Sequence, residues 1–299
     1  MGIVLAAKIT HVPSIWLSLQ EGKHHGIRRP AEDALREVGR RARERGVDTL
    51  VVADTHWLNS SGFHLNAKAV HSGSYASHEL PHFIRDLSYS YPGDPELAEL
   101  IAGEIRAGGQ KALVHDIADL GLEYGTLVPM HLMNRDQPQM RVLPIGCNQY
   151  STIAENLRVG EAITRAAQRS DRRVGFLASG SLSHAFPTNE DTERYLNTIS
   201  KDFNGQMDRL VLRLWRDGEI RQFLEMLPDY NEKCTGEAAM VDTAMLFGVL
   251  GGECYTGHGE QLCEYFPSTG TGQVVVDFAL PESVATPAAT SRSTPGDSS

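Results

Sequence analysis

Thr49-Leu50-Val51-Val52-Ala53-Asp54-Thr55-His56 is the stretch on which the fold turns: an apolar, β-branched run that stops abruptly at an acid, a threonine and a histidine. A short continuous apolar run of this kind is the signature of a strand buried on both faces. Ile3 to Ile9 repeats the pattern with a single lysine, and ends at Thr10-His11 before Pro13. Val174 to Ala178 does so a third time and runs into Ser179-Gly180-Ser181-Leu182-Ser183-His184, while Arg141 to Gly146 reads as a fourth strand. Between these runs the apolar spacing turns helical, over Pro30 to Arg45, Pro95 to Gly108 and Leu157 to Arg169. The first of these has Pro in its opening turn and Gly46 after its last, the usual asymmetry of helix ends. Asn204 to Leu227 and Glu237 to Leu250 are also expected to be helices. Buried strands alternating with helices predict an α/β fold: a central mixed, mostly parallel sheet with helices on both faces and a site at the strand carboxyl ends. Residues 1–281 are expected to form a single domain. The Ser/Thr/Pro/Ala-rich tail at 282–299 is expected to be disordered.

Composition narrows the function. The chain has 299 residues, 41% hydrophobic and 22% charged, enough for a large core without staples, so a bound metal would serve function rather than folding. A formal net charge of −10 and no Lys/Arg run interleaved with aromatics argue against nucleic acid as a partner. The four cysteines are scattered with no C-x-x-C pair, so neither a zinc ribbon nor a disulfide framework is indicated. With no secretory signal pattern and no apolar run of the ~18 residues that span a bilayer, a cytoplasmic protein without a membrane partner is expected.

Three apparent strands thus end in a loop bearing a histidine: His11, His56 and His184. In open α/β sheets such ends converge on one crevice. One strand-end histidine is ordinarily just a hydrogen-bonded residue, but three in matching positions suggest a metal centre. Two imidazoles and a carboxylate would leave open coordination positions, as in non-haem Fe(II) oxygenases. Glu237, after Gly236 at the start of an expected helix, is a candidate carboxylate, although a Glu in a first helical turn is usually no more than a cap.

Several segments, in order, give the chain a resemblance. They are Lys8-Ile9-Thr10-His11-Val12-Pro13-Ser14, Asp54-Thr55-His56-Trp57-Leu58, Glu79-Leu80-Pro81-His82-Phe83-Ile84-Arg85-Asp86, Leu122-Glu123-Tyr124-Gly125-Thr126-Leu127-Val128-Pro129-Met130, Ala178-Ser179-Gly180-Ser181-Leu182-Ser183-His184 and Ser268-Thr269-Gly270-Thr271-Gly272-Gln273. Together they resemble the class III extradiol ring-cleavage dioxygenases, particularly the single-chain enzymes acting on 3,4-dihydroxyphenylacetate (homoprotocatechuate). The resemblance implies Fe(II) held by His11, His56 and Glu237, with His184 as the acid/base residue beside a catecholic substrate and O2. It also implies a 2-hydroxymuconate-semialdehyde product and a homo-oligomer. Two alternatives remain: cleavage of 2-aminophenol by the same chemistry, and a non-catalytic metal-binding homologue.

Where several relatives carry Asp-His-Gly, this chain has Glu123-Tyr124-Gly125, so a second catalytic histidine is absent and Tyr124 is a candidate hydrogen-bond donor or a packed aromatic. The resemblance implies a substrate that carries a carboxylate, for which Arg28, in the basic loop Lys23 to Arg29, and Arg85 are candidates, although each reads more readily as a solvated cation. His82 is expected near the substrate only because its segment resembles the family. His78-Glu79-Leu80-Pro81-His82 matches the zinc-protease string, but Pro81 breaks the helix that string needs. The residues before His184 lack the G-x-S-x-G pattern of a serine hydrolase.

Overall fold

The computed structural model describes residues 1–186 and 193–281; the expected disordered tail at 282–299 lies outside the described residues. In chain order the first half runs β1 (Gly2–Ile9), α1 (Pro13–Leu19), α2 (Arg29–Glu44), β2 (Thr49–Asn59), β3 (Phe63–Asn66), β4 (Val70–Tyr75), β5 (Leu87–Pro92), α3 (Pro95–Ala107), β6 (Ala112–His115) and α4 (Tyr124–Met133). There follow β7 (Arg141–Asn148), α5 (Ile153–Arg169), β8 (Arg173–Ser179), α6 (Asp202–Asp217), α7 (Ile220–Cys234) and α8 (Val241–Leu250). Four short strands close the fold: β9 (Gly259–Gln261), β10 (Phe266–Ser268), β11 (Thr271–Gln273) and β12 (Val276–Phe278).

Eight strands form one sheet in the order β6-β3-β7-β2-β8-β1-β12-β9. The four runs expected from sequence are its parallel centre, β7, β2, β8 and β1, and the flanking pairs β7/β3, β1/β12 and β12/β9 are antiparallel. The sheet is therefore mixed, as expected. Alternate residues of the strands feed two cores. On one face Ile3, Ala6, Val51 and Phe176 pack with α3, α5, α7 and α8. On the other Leu5, Ile9, Val52 and Leu177 pack with α2 and α4. Register decides where the site lies. Ile9 pairs with Ser179 and Asp54 also pairs with Ser179, so β1, β8 and β2 finish level and their next residues emerge side by side.

Two expected helices differ from observation. Asn204 to Leu227 is not one helix: Gly218 (φ 76°) closes α6 in a left-handed cap and α7 starts afresh at Ile220. Nor does a right-handed helix begin at Glu237. Ala238, Ala239 and Met240 all have positive φ (45°, 55° and 58°), and α8 begins only at Val241. Each non-glycine residue in that region costs about 1–2 kcal/mol, and no glycine or proline between 237 and 241 advertises the turn. It is held from outside, in part by the Asn231 amide, which donates to the Ala239 carbonyl at 2.8 Å.

Candidate active site

The first imidazole comes straight off β1. His11 is buried and its Nδ1 lies 2.9 Å from Ser179 Oγ, whose own proton goes to the Gly125 carbonyl at 2.5 Å. With that proton committed, Ser179 can only accept from His11, so Nδ1 carries the hydrogen and Nε2 presents its lone pair inward. His56 arrives differently. The β2–β7 pairing jumps from Asp54 to Leu58, and the bulge throws residues 55–57 out of the ladder. Asp54 accepts the His56 backbone N–H at 2.8 Å and the Thr126 hydroxyl at 2.6 Å, which fixes the bulge against α4.

Glu237 meets both imidazoles. Its Oε1 is 3.4 Å from Nε2 of His11 and 3.4 Å from Nε2 of His56, and the candidate donor atoms of the three residues lie within 4.8 Å of one another. The Thr55 hydroxyl donates to Oε1 at 2.5 Å, and the Ser181 backbone N–H donates to Oε2. Burial raises the proton affinity of this carboxyl, but the imidazoles of His11, His184 and His56 outweigh it and hold its pKa well below the usual 4.5. For His56 burial again opposes charge, but the hydrogen bond to Glu237 and the charges of Glu237, Asp54 and Glu79 together outweigh it, raising the imidazole above its usual 6.5. Two nitrogens and a carboxylate oxygen converging from one side, with a tautomer fixed for ligation, suit a divalent metal with open positions.

The fourth expected residue stands beside this group. His184 follows β8 by a short strand-like segment and places Nε2 3.9 Å from Glu237 Oε2, its ring 4.4 Å from that of Phe186. Burial lowers its pKa below the usual 6.5, and the His56 and His11 imidazoles add to that against the opposing pull of Glu237. Tyr124 begins α4 with its ring 3.9 Å from His56 and 5.5 Å from His11, and its hydroxyl donates to Glu79 at 3.2 Å. Burial first, then Glu79 and Glu237, push that phenol well above 10, so it stays protonated and can only act as a neutral donor or acceptor.

These residues open onto a narrow cleft. Its apolar walls are Val12, Pro13, Leu80, Phe83 and Phe186, and its polar ones include Ser181, Ser268, Thr269 and Thr271. Leu80 and Phe83 belong to the segment joining β4 to β5, where the His78 to His82 string forms turns rather than a helix. His82 and Arg85 sit on the exposed side of that segment and do not line the cleft. Arg28 is buried behind the wall: Nε donates to Ser14 Oγ at 2.9 Å, Nη2 to the Leu196 carbonyl at 2.5 Å, and Nη2 lies 3.4 Å from Ser268 Oγ. Desolvation lowers its pKa to about 10. Sequence reasoning passed over the residues that hold the ligands, namely Ser179, Thr55 and the Ser181 amide. Their one signal was position, since each lies within or next to a segment that also carries a site histidine.

Two imidazoles and a carboxylate that could hold a metal ion, with a further half-buried histidine beside them at the strand ends of a mixed sheet, mark a site of the metal-dependent enzyme type. The comparisons agree. The chain belongs to the family described as the catalytic LigB subunit of aromatic ring-opening dioxygenase, which matches residues 5–279, and it is an extradiol dioxygenase. It is 46% identical over 258 residues to 3,4-dihydroxyphenylacetate 2,3-dioxygenase of Escherichia coli, covering 85% of this chain and 92% of that one. To the 2-aminophenol 1,6-dioxygenase beta subunit of a Pseudomonas species it is 26% identical over 251 residues, 78% of each chain. The fold also resembles an uncharacterised protein of Escherichia coli K12, with a TM-score of 0.58 at 13% identity, covering 83% of this chain and 91% of that one.

Proposed function

We propose that residues 1–281 form one catalytic unit that opens the ring of 3,4-dihydroxyphenylacetate, or a close catechol, beside the diol, inserting both atoms of O2 to give a 2-hydroxymuconate-semialdehyde. The observation that carries this is the convergence of His11, His56 and Glu237 at the floor of a cleft that His184 and Tyr124 also line. The high identity to an enzyme named for that substrate supports the same choice. Fe(II) held by His11, His56 and Glu237 would bring catechol and O2 together and pass electrons between them.

The protein groups supply the rest. His184, kept neutral by burial, accepts a catechol proton at Nε2 and returns it to a ring oxygen during cleavage. Tyr124 keeps its proton: its hydroxyl donates to Glu79 in the structure and would have to turn from that partner to donate to an oxygen ligand, and it removes no proton itself. Phe83, Phe186 and Leu80 flank the aromatic ring and keep water from the opened intermediate. The side-chain carboxylate lies against the Ser268 end of the cleft, with the Arg28 charge one hydroxyl behind it. Arg85 and His82 would meet substrate only at the entrance. We place the enzyme in the cytoplasm as a homo-oligomer.

The test is anaerobic reconstitution with Fe(II), then O2 uptake and absorbance with 3,4-dihydroxyphenylacetate, next to a His56→Ala control. A yellow ring-opened product formed by the wild type alone is expected; iron-loaded protein that consumes no O2 with any catechol would overturn the proposal. A second reading, 2-aminophenol cleavage, draws on the similarity to two subunits of 2-aminophenol 1,6-dioxygenase, at 26% and 23% identity. The same assay with 2-aminophenol in parallel separates the two.

A further inference from the structure

Asp208, on α6, is a fully buried carboxylate, and no cation pairs with it among the described residues. Four donors take the place of a counter-ion. The Tyr230 hydroxyl from α7 donates at 2.6 Å, the Tyr265 hydroxyl at 2.7 Å, the Ser183 hydroxyl at 2.8 Å and the Ser183 backbone N–H at 3.2 Å. Gly272 packs so closely on the carboxylate that a Cβ there would overlap it. An uncompensated buried carboxylate is expensive, so this many donors converging on one residue calls for a purpose.

Its neighbour supplies one. Leu182 to His184 is a short extended segment stitched on both sides: the Glu237 N–H donates to the Leu182 carbonyl at 3.1 Å and the His184 N–H to the Thr235 carbonyl at 2.8 Å. Opposite, the Leu182 N–H donates to the Gly272 carbonyl at 2.8 Å and the Gly272 N–H to the Ser183 carbonyl at 2.9 Å. Side chains of an extended segment alternate faces. Ser183 therefore points back to α6 while His184 points forward into the cleft.

Building on the acid/base reading of His184, we propose that Asp208 is the positioning residue of the active site: by clamping Ser183 from behind it fixes the depth and angle at which His184 faces the substrate. The Glu237 carboxylate has its own anchors in Thr55 and the Ser181 amide, and the clamped segment holds Glu237 only by its backbone N–H, so the clamp bears first on the proton-transfer residue and less on the metal triad. Tyr230 and Tyr265 tie the same carboxylate to the segments that precede the Glu237 turn and the Ser268 to Thr271 wall.

The test is a double-mutant cycle in the Fe(II)-reconstituted full chain, with Asp208→Asn and Ser183→Ala each made alone and in the His184→Ala background. A misplacement of about 1 Å at a catalytic group can cost on the order of 100-fold, so each single variant is expected to lose about 10-fold or more in kcat. Bound iron and KM should hold near wild type, and less of the O2 consumed should appear as ring-opened product. In the His184→Ala background the same substitutions should remove nothing further, because the group they position is gone. An equal loss in both backgrounds, a loss of iron that parallels the loss of rate, or wild-type turnover in Asp208→Asn and Ser183→Ala would overturn the proposal. If Asp208→Asn fails to fold, Ser183→Ala, which removes a single hydroxyl, decides through the same cycle. Wild-type turnover in His184→Ala would instead sink the acid/base reading, and the clamp with it.

Discussion

Proton affinity at the site is set by burial and by the charged neighbours that oppose or reinforce it, and each residue carries a consequence that can be measured. His184 is depressed below 6.5, chiefly by desolvation, so it is neutral at pH 7 and can accept a proton. As pH falls through its pKa the base is protonated and lost, so kcat/KM should show an acid limb whose midpoint lies below 6.5. His184→Ala should keep its metal, abolish that limb and lose about 10²–10⁴ in rate, the usual worth of a general acid/base; wild-type turnover in that variant would remove the assignment. Ser179 works on the ligand instead. Ser179→Ala deletes the acceptor that fixes the His11 tautomer and should weaken Fe(II) binding by about 10–100-fold, the common cost of losing such support. Equilibrium titration of the apoprotein checks this, and unchanged affinity would show the tautomer to be held otherwise. The sequence exposed the histidines because two of them stand in Thr-His pairs after apolar runs. It could not expose Ser179 or Asp208, since a serine ending a strand and an aspartate on an amphipathic helix look the same whether or not they touch a catalytic group.

Helices and strands constrain the molecule through close approach. α5 and α8 cross where Gly160 faces the Met245 carbonyl and Gly248 faces the Leu157 carbonyl, and a Cβ at either glycine would collide with backbone that cannot move aside. Gly248→Ala should therefore destabilise by about 1–3 kcal/mol, the range for an overpacked core, read as a lower urea midpoint with an unchanged m-value. A stability equal to wild type would mean the helices separate freely. The β4–β5 hairpin carries a different constraint. His71 is buried on β4 with Nε2 3.1 Å from the Val142 carbonyl, and desolvation lowers its pKa to about 4. Its folded pKa lies below the unfolded value near 6.5, so the unfolded chain takes up the proton first. Stability from this group is complete above about 6.5 and is lost as pH falls toward 4, amounting to about 2 kcal/mol by pH 5. The drop in urea midpoint from pH 7 to pH 5 should shrink in His71→Gln, which keeps a donor for Val142; an undiminished drop would place the acid sensitivity elsewhere. At this scale the central strands and α2, α3 and α5 were legible because their apolar periodicity is uninterrupted. The left-handed turn at Ala238 to Met240 was not, because tertiary contacts impose it on residues that would otherwise favour a helix. Nor were β9 to β12, which at three residues each are too short to show a period.

Over the whole molecule, level strand ends create the crevice and net charge governs what approaches it. The register that aligns Ile9, Asp54 and Ser179 brings three loops from distant parts of the chain to one place. That convergence could be inferred from the α/β pattern, whereas the wall at Ser268 to Thr271 could not, because β10 and β11 form a separate two-stranded sheet. The chain carries a formal net charge of −10, and among the described residues no lysine or arginine lines the cleft. Arg28, behind the Ser268 wall, is buried and committed to Ser14 and the Leu196 carbonyl, so its field reaches the substrate only after entry. An anionic arylacetate therefore approaches against a like-signed field, which salt screens over a Debye length of about 10 Å at 0.1 M. Raising ionic strength from about 10 mM to 200 mM should increase kcat/KM for 3,4-dihydroxyphenylacetate severalfold while leaving an uncharged catechol such as 4-methylcatechol nearly unchanged. The ratio of the two substrates cancels any general effect of salt on the enzyme. A fall in that ratio would mean that local cations at the entrance, with Arg85 the first to replace by alanine, already outweigh the net charge and draw the substrate in.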